Sequence, residues 1–537
     1  MSRRVIPALR DWDSMRAAFR WPVPERYNIA ERCCDSWART EPDRVAIIHV
    51  AEGGAARDWS YGALKNASDA LAGSFGARGV GRGDRVAVLL AQCPEVLITH
   101  FAALKLGAVG LPLFTLFGED ALRYRLADSG AKVLVTDAEN LAKVMALRAD
   151  LPDLAEVYVI GEAAPPVRGF WTEIEVAHGA FIAEDTAADD PAVLIYTSGT
   201  TGPPKGVLHA HRFLIGHLPS IECTHPGFGQ AGDCGWTPAD WAWIGGLMDM
   251  AMPCLYYGVP LVSHRMRKFD PDAAYRLIGA HGVRNLFLPP TALKLMRAAR
   301  VPGDVNVRSV TSGGESLGAD LLDWGLSALK APINEIYGQT ECNLVLASCH
   351  GLMEVRPGSM GRALPGFEVA VLDREGGAAA AGEMGEICVK APNPVMFLRY
   401  WQKPDATAGK LRGGWLRTGD LGTCDGEGYF TYASRDDDVI TSAGYRIGPS
   451  EIENCLCGHP DVVMAAAVGV PDPVRTEVVK AFVVLREGAD WDGLEAALIA
   501  RVRDKVSPHV APRIIECIDA LPMTATGKIM RRELRGR

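Results

Sequence analysis

Up to about residue 350, short apolar runs alternate with longer stretches whose apolar positions recur at helical spacing. The runs include "DRVAVLLAQ", "AKVLVTDA", "VYVIG", "AVLIYTSG" and "VRNLFLPP"; the stretches include "PEVLITHFAALKLG" and "PDAAYRLIGAHG". This alternation predicts layered α/β structure. From about 355 to 432 the helical stretches thin out, and strand-like "FEVAVLD", "GEICVKA" and "GYFTYAS" follow one another across glycine turns, predicting a small β-rich subdomain. "GGAAAAG" reads as the hairpin loop between the first two of these. Beyond Arg435, "PSEIENCLCGHP" reads as a capped helix, followed by strands "VVMAAAVGV" and "VVKAFVVL" and a helix "WDGLEAALIARVRDKV". The expected architecture is a large α/β domain over 1–435 and a small α+β domain over 436–537.

A chain of 537 residues with 48% hydrophobic positions can bury large cores in more than one domain. Its net charge of -9, without a long basic run, gives no electrostatic footing for nucleic acid. Thirteen cysteines, without a CxxC pair, read as reduced thiols of a cytoplasmic protein; Cys33 and Cys34 read as buried thiols rather than metal ligands. The arginine-rich start carries Asp11 and Asp13, which argues against a transit peptide. The longest apolar stretch, from Trp241, is interrupted by Asp249, Pro253 and Pro260 and reads as a buried helix passing into a strand rather than a membrane span. The chain is expected as a monomer or homo-oligomer.

"YTSGTTGPPKGVLHAHR", Tyr196 to Arg212, is the densest chemical signal. Gly199, Gly202 and Gly206 permit close approach of the backbone, and Thr197, Ser198, Thr200 and Thr201 add hydroxyl donors. Lys205 supplies a point charge behind the stiff pair Pro203 and Pro204. Such a loop suits a polyphosphate, although its register is not that of a Walker loop.

Four further islands are ambiguous one by one. In "VTSGGESL", Gly314 followed by Glu315 can let a flat ring approach the backbone or can be an ordinary strand-to-helix turn. "NEIYGQTE", holding Glu335, Ile336, Tyr337, Gly338, Gln339, Thr340 and Glu341, offers a ring to stack on a base, a hydroxyl for phosphate and a carboxylate for Mg²⁺. Asp420 in "RTGDLG" reads as a turn-borne carboxylate able to accept two ribose hydroxyls, and Arg435 opens an acidic run. In "LPMTATGKIMRREL", Lys528 reads as a loop lysine ahead of the last helix.

Taken together and in order, these islands resemble the adenylate-forming enzymes: acyl-CoA synthetases, luciferases and peptide-synthetase adenylation domains. "SVTSGGESLG", "NEIYGQTE", "RPGSMGRALPGFEV", "SAGYRIGPSEIEN" and "GVPDPVRTEVVKAFVVL" are most similar to the medium-chain acyl-CoA synthetases. The resemblance spans nearly the whole chain from about residue 30. It implies a ligase that makes acyl-CoA, AMP and pyrophosphate from ATP, a carboxylic acid and coenzyme A through an acyl-adenylate.

By that resemblance, Thr197 to Lys205 would enclose the β- and γ-phosphates, Gly314 and Glu315 would flank adenine, and Glu335 to Thr340 would shape the adenine and α-phosphate site. Glu341 would hold Mg²⁺, and Asp420 and Arg435 would grip the ribose. Lys528 would bridge carboxylate and α-phosphate, then leave by rotation of a mobile C-terminal domain about Asp437. Ala443, Gly444, Tyr445, Arg446 and Arg475 would meet coenzyme A. Attack by a carboxylate needs no general base at neutral pH, so a lysine and a metal suffice.

Two features bear on the acid. Gly338 stands where acetyl-CoA synthetases carry tryptophan, which implies an open pocket floor and an acid larger than acetate, short- to medium-chain, branched or aromatic. Trp236, Trp241, Trp243, Leu247 and Met248 fall where relatives line the acyl pocket, and would serve either as that lining or as packed core. Cys342 and Asn343 depart from the glycine many relatives carry after the glutamate. The alternatives are acetyl- or propionyl-CoA synthesis, or an adenylation enzyme loading a separate carrier protein.

Overall fold

The computed structural model describes residues 3–8, 11–177, 180–197, 203–314, 317–435, 438–442, 445–472, 475–524 and 528–536, and only the backbone of Thr441, Tyr445 and Arg446. Two large sheets form the body of the N-terminal domain. The first has eight strands in the order Arg399–Tyr400, Lys205–Ala210, Pro191–Thr197, Val109–Pro112, Arg85–Leu89, Val133–Asp137, Glu156–Ile160 and Arg168–Gly169. Its strand Arg85–Leu89 shows why the apolar runs are continuous. Val86 and Val88 pack into the core under the helices Tyr61–Ala77 and Pro94–Lys105. Ala87 and Leu89 face the opposite layer, with Leu122, Leu126, Val144 and Leu147 from the helices Glu119–Ser129 and Ala138–Leu147. A strand buried on both faces cannot alternate polar and apolar residues.

The second sheet has nine strands, with Asn343–Ala347, Ile333–Gln339, Ser309–Gly313 and Asn285–Phe287 consecutive within it. The stretch from Trp241 forms the helix Ile244–Gly246, a π-helical turn Leu247–Ala251 and the helix Met252–Tyr257, then the strand Leu261–Ser263, as the sequence suggested. No helix of the described residues is long and apolar enough to cross a membrane.

The β-rich subdomain is a five-stranded antiparallel sheet built on Val369–Leu372, Gly385–Lys390, Trp415–Cys424, Leu411–Arg412 and Phe430–Arg435, with the glycine-rich hairpin where it was expected. The smaller C-terminal domain pairs Val462–Asp472 with Thr476–Leu485 and packs the helices Pro449–Cys457 and Leu494–Lys505 on them through Ile452, Leu456, Leu498 and Val502. Its first helix differs from the capped one expected: Gly448 holds the N-cap position and no side chain caps it, while Pro449 occupies the first turn. Proline there sacrifices only an N–H that no helical carbonyl could accept.

Candidate functional site

The expected phosphate loop is flanked by the antiparallel strands Pro191–Thr197 and Lys205–Ala210, in which Thr197 pairs with Lys205. Ser198, Gly199, Thr200, Thr201 and Gly202 lie outside the described residues. Thr197 Oγ1 donates to the Lys205 carbonyl at 3.4 Å, and the Pro204 carbonyl accepts from Tyr124 Oη at 2.9 Å. Lys205 Nζ sits over the Tyr400 ring, 5.3 Å from its centroid, and the Tyr400 hydroxyl donates to Glu341 Oε1. The strand Arg399–Tyr400 lies on the hairpin's outer edge, pairing Tyr400 with Val207. One aromatic ring therefore joins the loop lysine to the turn carboxylate, and the Tyr400 proton is held firmly by burial and by Glu341.

Glu341 is on the turn between the antiparallel strands Ile333–Gln339 and Asn343–Ala347. Its other carboxylate oxygen accepts no hydrogen bond among the described residues. A carboxylate with one committed and one available oxygen fits a Mg²⁺ ion that takes its remaining ligands from phosphates and water. No group of three or more His, Cys, Asp or Glu residues poised to hold a metal occurs among the described residues.

Asp420 is more enclosed than expected. It lies within the long strand Trp415–Cys424, not on a turn, because Gly419 takes a φ of 75° and kinks the strand without ending it. Only 4% exposed, Asp420 accepts from Tyr337 Oη at 2.7 Å and Gln339 Nε2 at 2.5 Å on one oxygen, and from Arg435 Nη1 at 3.1 Å on the other. Lys410 Nζ braces Gln339 Oε1 and the Thr418 carbonyl, each at 3.1 Å. A buried carboxylate is tolerated when every lone pair is met by a donor or a cation. Tyr337 is accordingly pushed far above the usual phenol range, first by burial and then by the Asp420 charge.

Glu335 has the opposite character. It is fully buried, its Oε2 has no hydrogen-bond partner among the described residues, and burial pushes its carboxyl up to about 8 against a hydrogen bond from the Leu317 backbone. It is therefore a neutral acid at pH 7, lying opposite Ser312 in the parallel register beside the turn at Gly314. Ile336 is buried in the core behind it.

Gly314 has a φ of 101°, and a methyl group placed on it would lie 3.6 Å from the Trp243 ring and 4.0 Å from Lys528 Cε. The near-terminal lysine thus reaches the large domain at this turn. Lys528 is held against the stretch just before it: its N–H donates to Thr524 Oγ1 at 3.0 Å, its carbonyl accepts from Thr524 N at 2.8 Å, and Met523 bridges Ile529. Glu315, Asp437, Ala443 and Gly444 lie outside the described residues. Tyr445 and Arg446 start a strand paired with Ile440–Ser442, and Arg475 N donates to Asp472 Oδ1 at 2.7 Å.

The acyl-pocket expectations need correction. A Cβ on Gly338 would fall 1.3 Å from the Asn343 carbonyl oxygen, so the space beside Gly338 is filled by the facing strand at its bulge and is not an open floor. Glycine is required there by the close approach of two backbones. The tryptophans also separate: Trp236 and Trp241 are buried core, whereas Trp243 is half-buried, tilted against Phe287 and facing Gly314.

Behind the turn lies a polar group that apolar patterning does not reveal. His217 Nε2 is 2.7 Å from Asp249 Oδ1, and Asn343 Nδ2 reaches both His217 and, at 3.2 Å, Asp249. Asn343 holds a φ of 38°, unusual for a residue other than glycine.

The chain belongs to the AMP-binding enzyme family, whose pattern matches residues 34–401, with the C-terminal domain of AMP-binding enzymes matching 451–528. It is 32% identical to the acetyl-coenzyme A synthetase of Bacillus subtilis, covering 98% of this chain and 93% of that one. It is 33% identical to the mitochondrial acyl-coenzyme A synthetase ACSM2 of Rattus norvegicus, covering 96% and 92%. The anthranilate CoA ligase AuaEII, solved with anthranoyl-AMP, superposes with a TM-score of 0.88 at 26% identity, covering 96% of this chain and 98% of that one. The chain is an AMP-forming acid–thiol ligase, an acyl-CoA synthetase that uses ATP and coenzyme A.

Proposed function

We propose that the chain activates a short- to medium-chain carboxylic acid larger than acetate, straight, branched or aromatic, and that residues 1–435 and 436–537 act as two bodies hinged at Asp437. The observation that carries this reading is that Trp243 and Lys528 both approach Gly314, at the end of the strand paired with Ile333–Gln339, from which Tyr337 and Gln339 reach Asp420. It supports an arrangement for the first half-reaction, in which the lysine, ribose and acid sites are assembled together. A carboxylate oxygen of the acid bonds to the α-phosphorus as the bond to pyrophosphate breaks. Lys528 screens the two like charges as they approach, and Lys205 with the hairpin backbone takes the charge developing on pyrophosphate. Asp420 and Arg435 fix the ribose, so that the phosphates meet the hairpin in register.

Glu341 would hold Mg²⁺, which supplies charge neutralisation along the phosphates. In the second half-reaction Lys528 withdraws with its domain, and residues 443–446 and Arg475 face coenzyme A. The coenzyme A thiolate bonds to the acyl carbon and AMP departs with the carboxylate oxygen. With Gly338 closed off by Asn343, the case for the larger acid rests on Trp243, which is only half-buried at the site. The thirteen cysteines, none joined in a disulfide among the described residues, support a reducing compartment such as the cytoplasm.

The test is coenzyme A-dependent AMP formation across acetate, propionate, butyrate, isobutyrate, hexanoate, octanoate and benzoate, with Lys528→Ala alongside. The expected result is faster turnover of one of the larger acids, and a variant that loses acid-dependent ATP–pyrophosphate exchange yet makes thioester from supplied acyl-adenylate. Fastest turnover of acetate would refute the acid assignment. Exchange without acylation of coenzyme A would point to a carrier protein as the acceptor instead.

A further inference from the structure

Lys528 ends a flexible four-carbon stem, so its reach into the site depends on where its backbone is held. The segment that presents it is closed by the Thr524 and Met523–Ile529 contacts and by Met530 N donating to the Pro522 carbonyl at 2.8 Å. Three residues beyond the lysine comes a stronger attachment. Arg531 donates from Nε and Nη2 to Glu453 at 2.7 to 3.1 Å, and its Nη1 is 3.5 Å from Asp438 Oδ2. Glu453 sits on the helix Pro449–Cys457 and also accepts from Ala467 N at 2.8 Å, in the strand Val462–Asp472 of the small domain. Asp438, one residue past the proposed hinge, is additionally paired with Arg535 at 3.1 Å.

Arg531 therefore ties the lysine segment to a helix, through Glu453 to the strand Val462–Asp472, and to the first described residue past the hinge. The helix that carries Glu453 also packs against the strand Phe430–Arg435 of the large domain. Tyr432, on the strand Phe430–Arg435, is half-buried, and its hydroxyl is pushed up first by burial and then by the Asp420 charge, with Arg531, Arg435 and Asp438 also acting on it. The proposed ribose pair and the guanidinium that anchors the lysine segment thus both act electrostatically on Tyr432.

We propose that Arg531 is a positioning residue for the adenylation half-reaction: clamped by Glu453 and Asp438, it holds the Lys528 segment at the distance from Trp243 and Gly314 at which the lysine meets the acid and the α-phosphate. This inference rests on the assignment of Lys528 above. A two-toothed guanidinium clamp fixes both position and orientation, which an ammonium on the same stem cannot do. A displacement of about 1 Å at a reacting group costs on the order of a hundredfold in rate. The clamp lies wholly beyond residue 437, so it travels with the small domain and makes no demand on the second half-reaction.

The experiment measures both half-reactions in full-length Arg531→Met, Arg531→Lys, Asp438→Asn and Lys528→Ala. Acid-dependent ATP–pyrophosphate exchange uses the fastest acid of the panel, and thioester formation uses its preformed acyl-adenylate with coenzyme A. The expected result for Arg531→Met is a loss of exchange of about thirtyfold or more with thioester formation within about threefold of wild type. Arg531→Lys should recover part of the loss, and Asp438→Asn, which leaves the Glu453 contacts in place, should show the same split in weaker form. Equal losses in both half-reactions, or exchange within about twofold of wild type in Arg531→Met while Lys528→Ala has lost it, would overturn the inference. Exchange retained in Lys528→Ala would instead overturn the lysine assignment, and this inference with it.

Discussion

Glu335→Gln separates a charged role for this carboxyl from a neutral one. In the folded protein burial holds the carboxyl neutral up to about pH 8; in the unfolded chain it ionises near its ordinary value of 4.5. Between those values unfolding releases a proton, so the folded state loses stability as pH rises through this window. The stabilisation relative to the ionised form is complete below pH 4.5 and gone above about pH 8. The difference of about 3.5 pH units corresponds to a ceiling of about 5 kcal/mol at 1.36 kcal/mol per unit. Glutamine keeps the shape, cannot ionise, and can still accept from the Leu317 backbone. The two proteins should therefore have similar urea midpoints at pH 5, with the variant progressively more stable up to pH 8 and the gap constant beyond. AMP binding, followed by calorimetry at the same pH values, should lose less between pH 7 and 9 in the variant. A gap between the urea midpoints that does not change from pH 5 to 9 would refute the reasoning, because it would mean that Glu335 has the same proton affinity in both states.

Tyr400→Phe keeps the ring under Lys205 but removes the donor to Glu341; a hydrogen bond to a charged partner contributes about 1.5–3 kcal/mol, so adenylation should fall tenfold or more, with the Mg²⁺ titration displaced, and an unchanged titration would count against the Lys205–Tyr400–Glu341 linkage. Gly338→Ala should cost well over about 3 kcal/mol, seen as a collapse of soluble yield or melting temperature, because its methyl would meet the Asn343 backbone; a stable, active variant would show that the hairpin can part there and would restore the open-floor argument.

What the chain reveals about itself depends on how local the cause is. The loop after Tyr196 and the hairpin at Gly376 to Gly382 are legible because their glycines, prolines and hydroxyls act within a few residues. Tyr400 was not legible, since its partner Glu341 is 59 positions away and nothing in "FLRYW" marks the ring as a bridge. Asp420 reads as a turn residue because glycine beside aspartate usually signals one; the long pairing with Gly385–Lys390 and Phe430–Arg435 overrides that preference and turns Gly419 into a kink. Gly338 misled for a related reason. A missing side chain reads as empty space in a sequence, whereas here a neighbouring backbone occupies it. The polar trio of His217, Asp249 and Asn343 is drawn from three separate segments, so no window of sequence contains it.

The edge strand Arg399–Tyr400 bears on the order in which the chain is made. The hairpin carrying Lys205 is complete by residue 210, yet its outer edge is covered only when a segment almost two hundred positions later arrives. During synthesis the hairpin must wait with one flank of backbone donors and acceptors unpaired, a condition that invites association with other strands. Fragments ending before Arg399 should therefore be poor hosts for the nucleotide even though they contain the whole glycine-rich loop. The phosphate site, the most local feature of the sequence, is among the last to be finished.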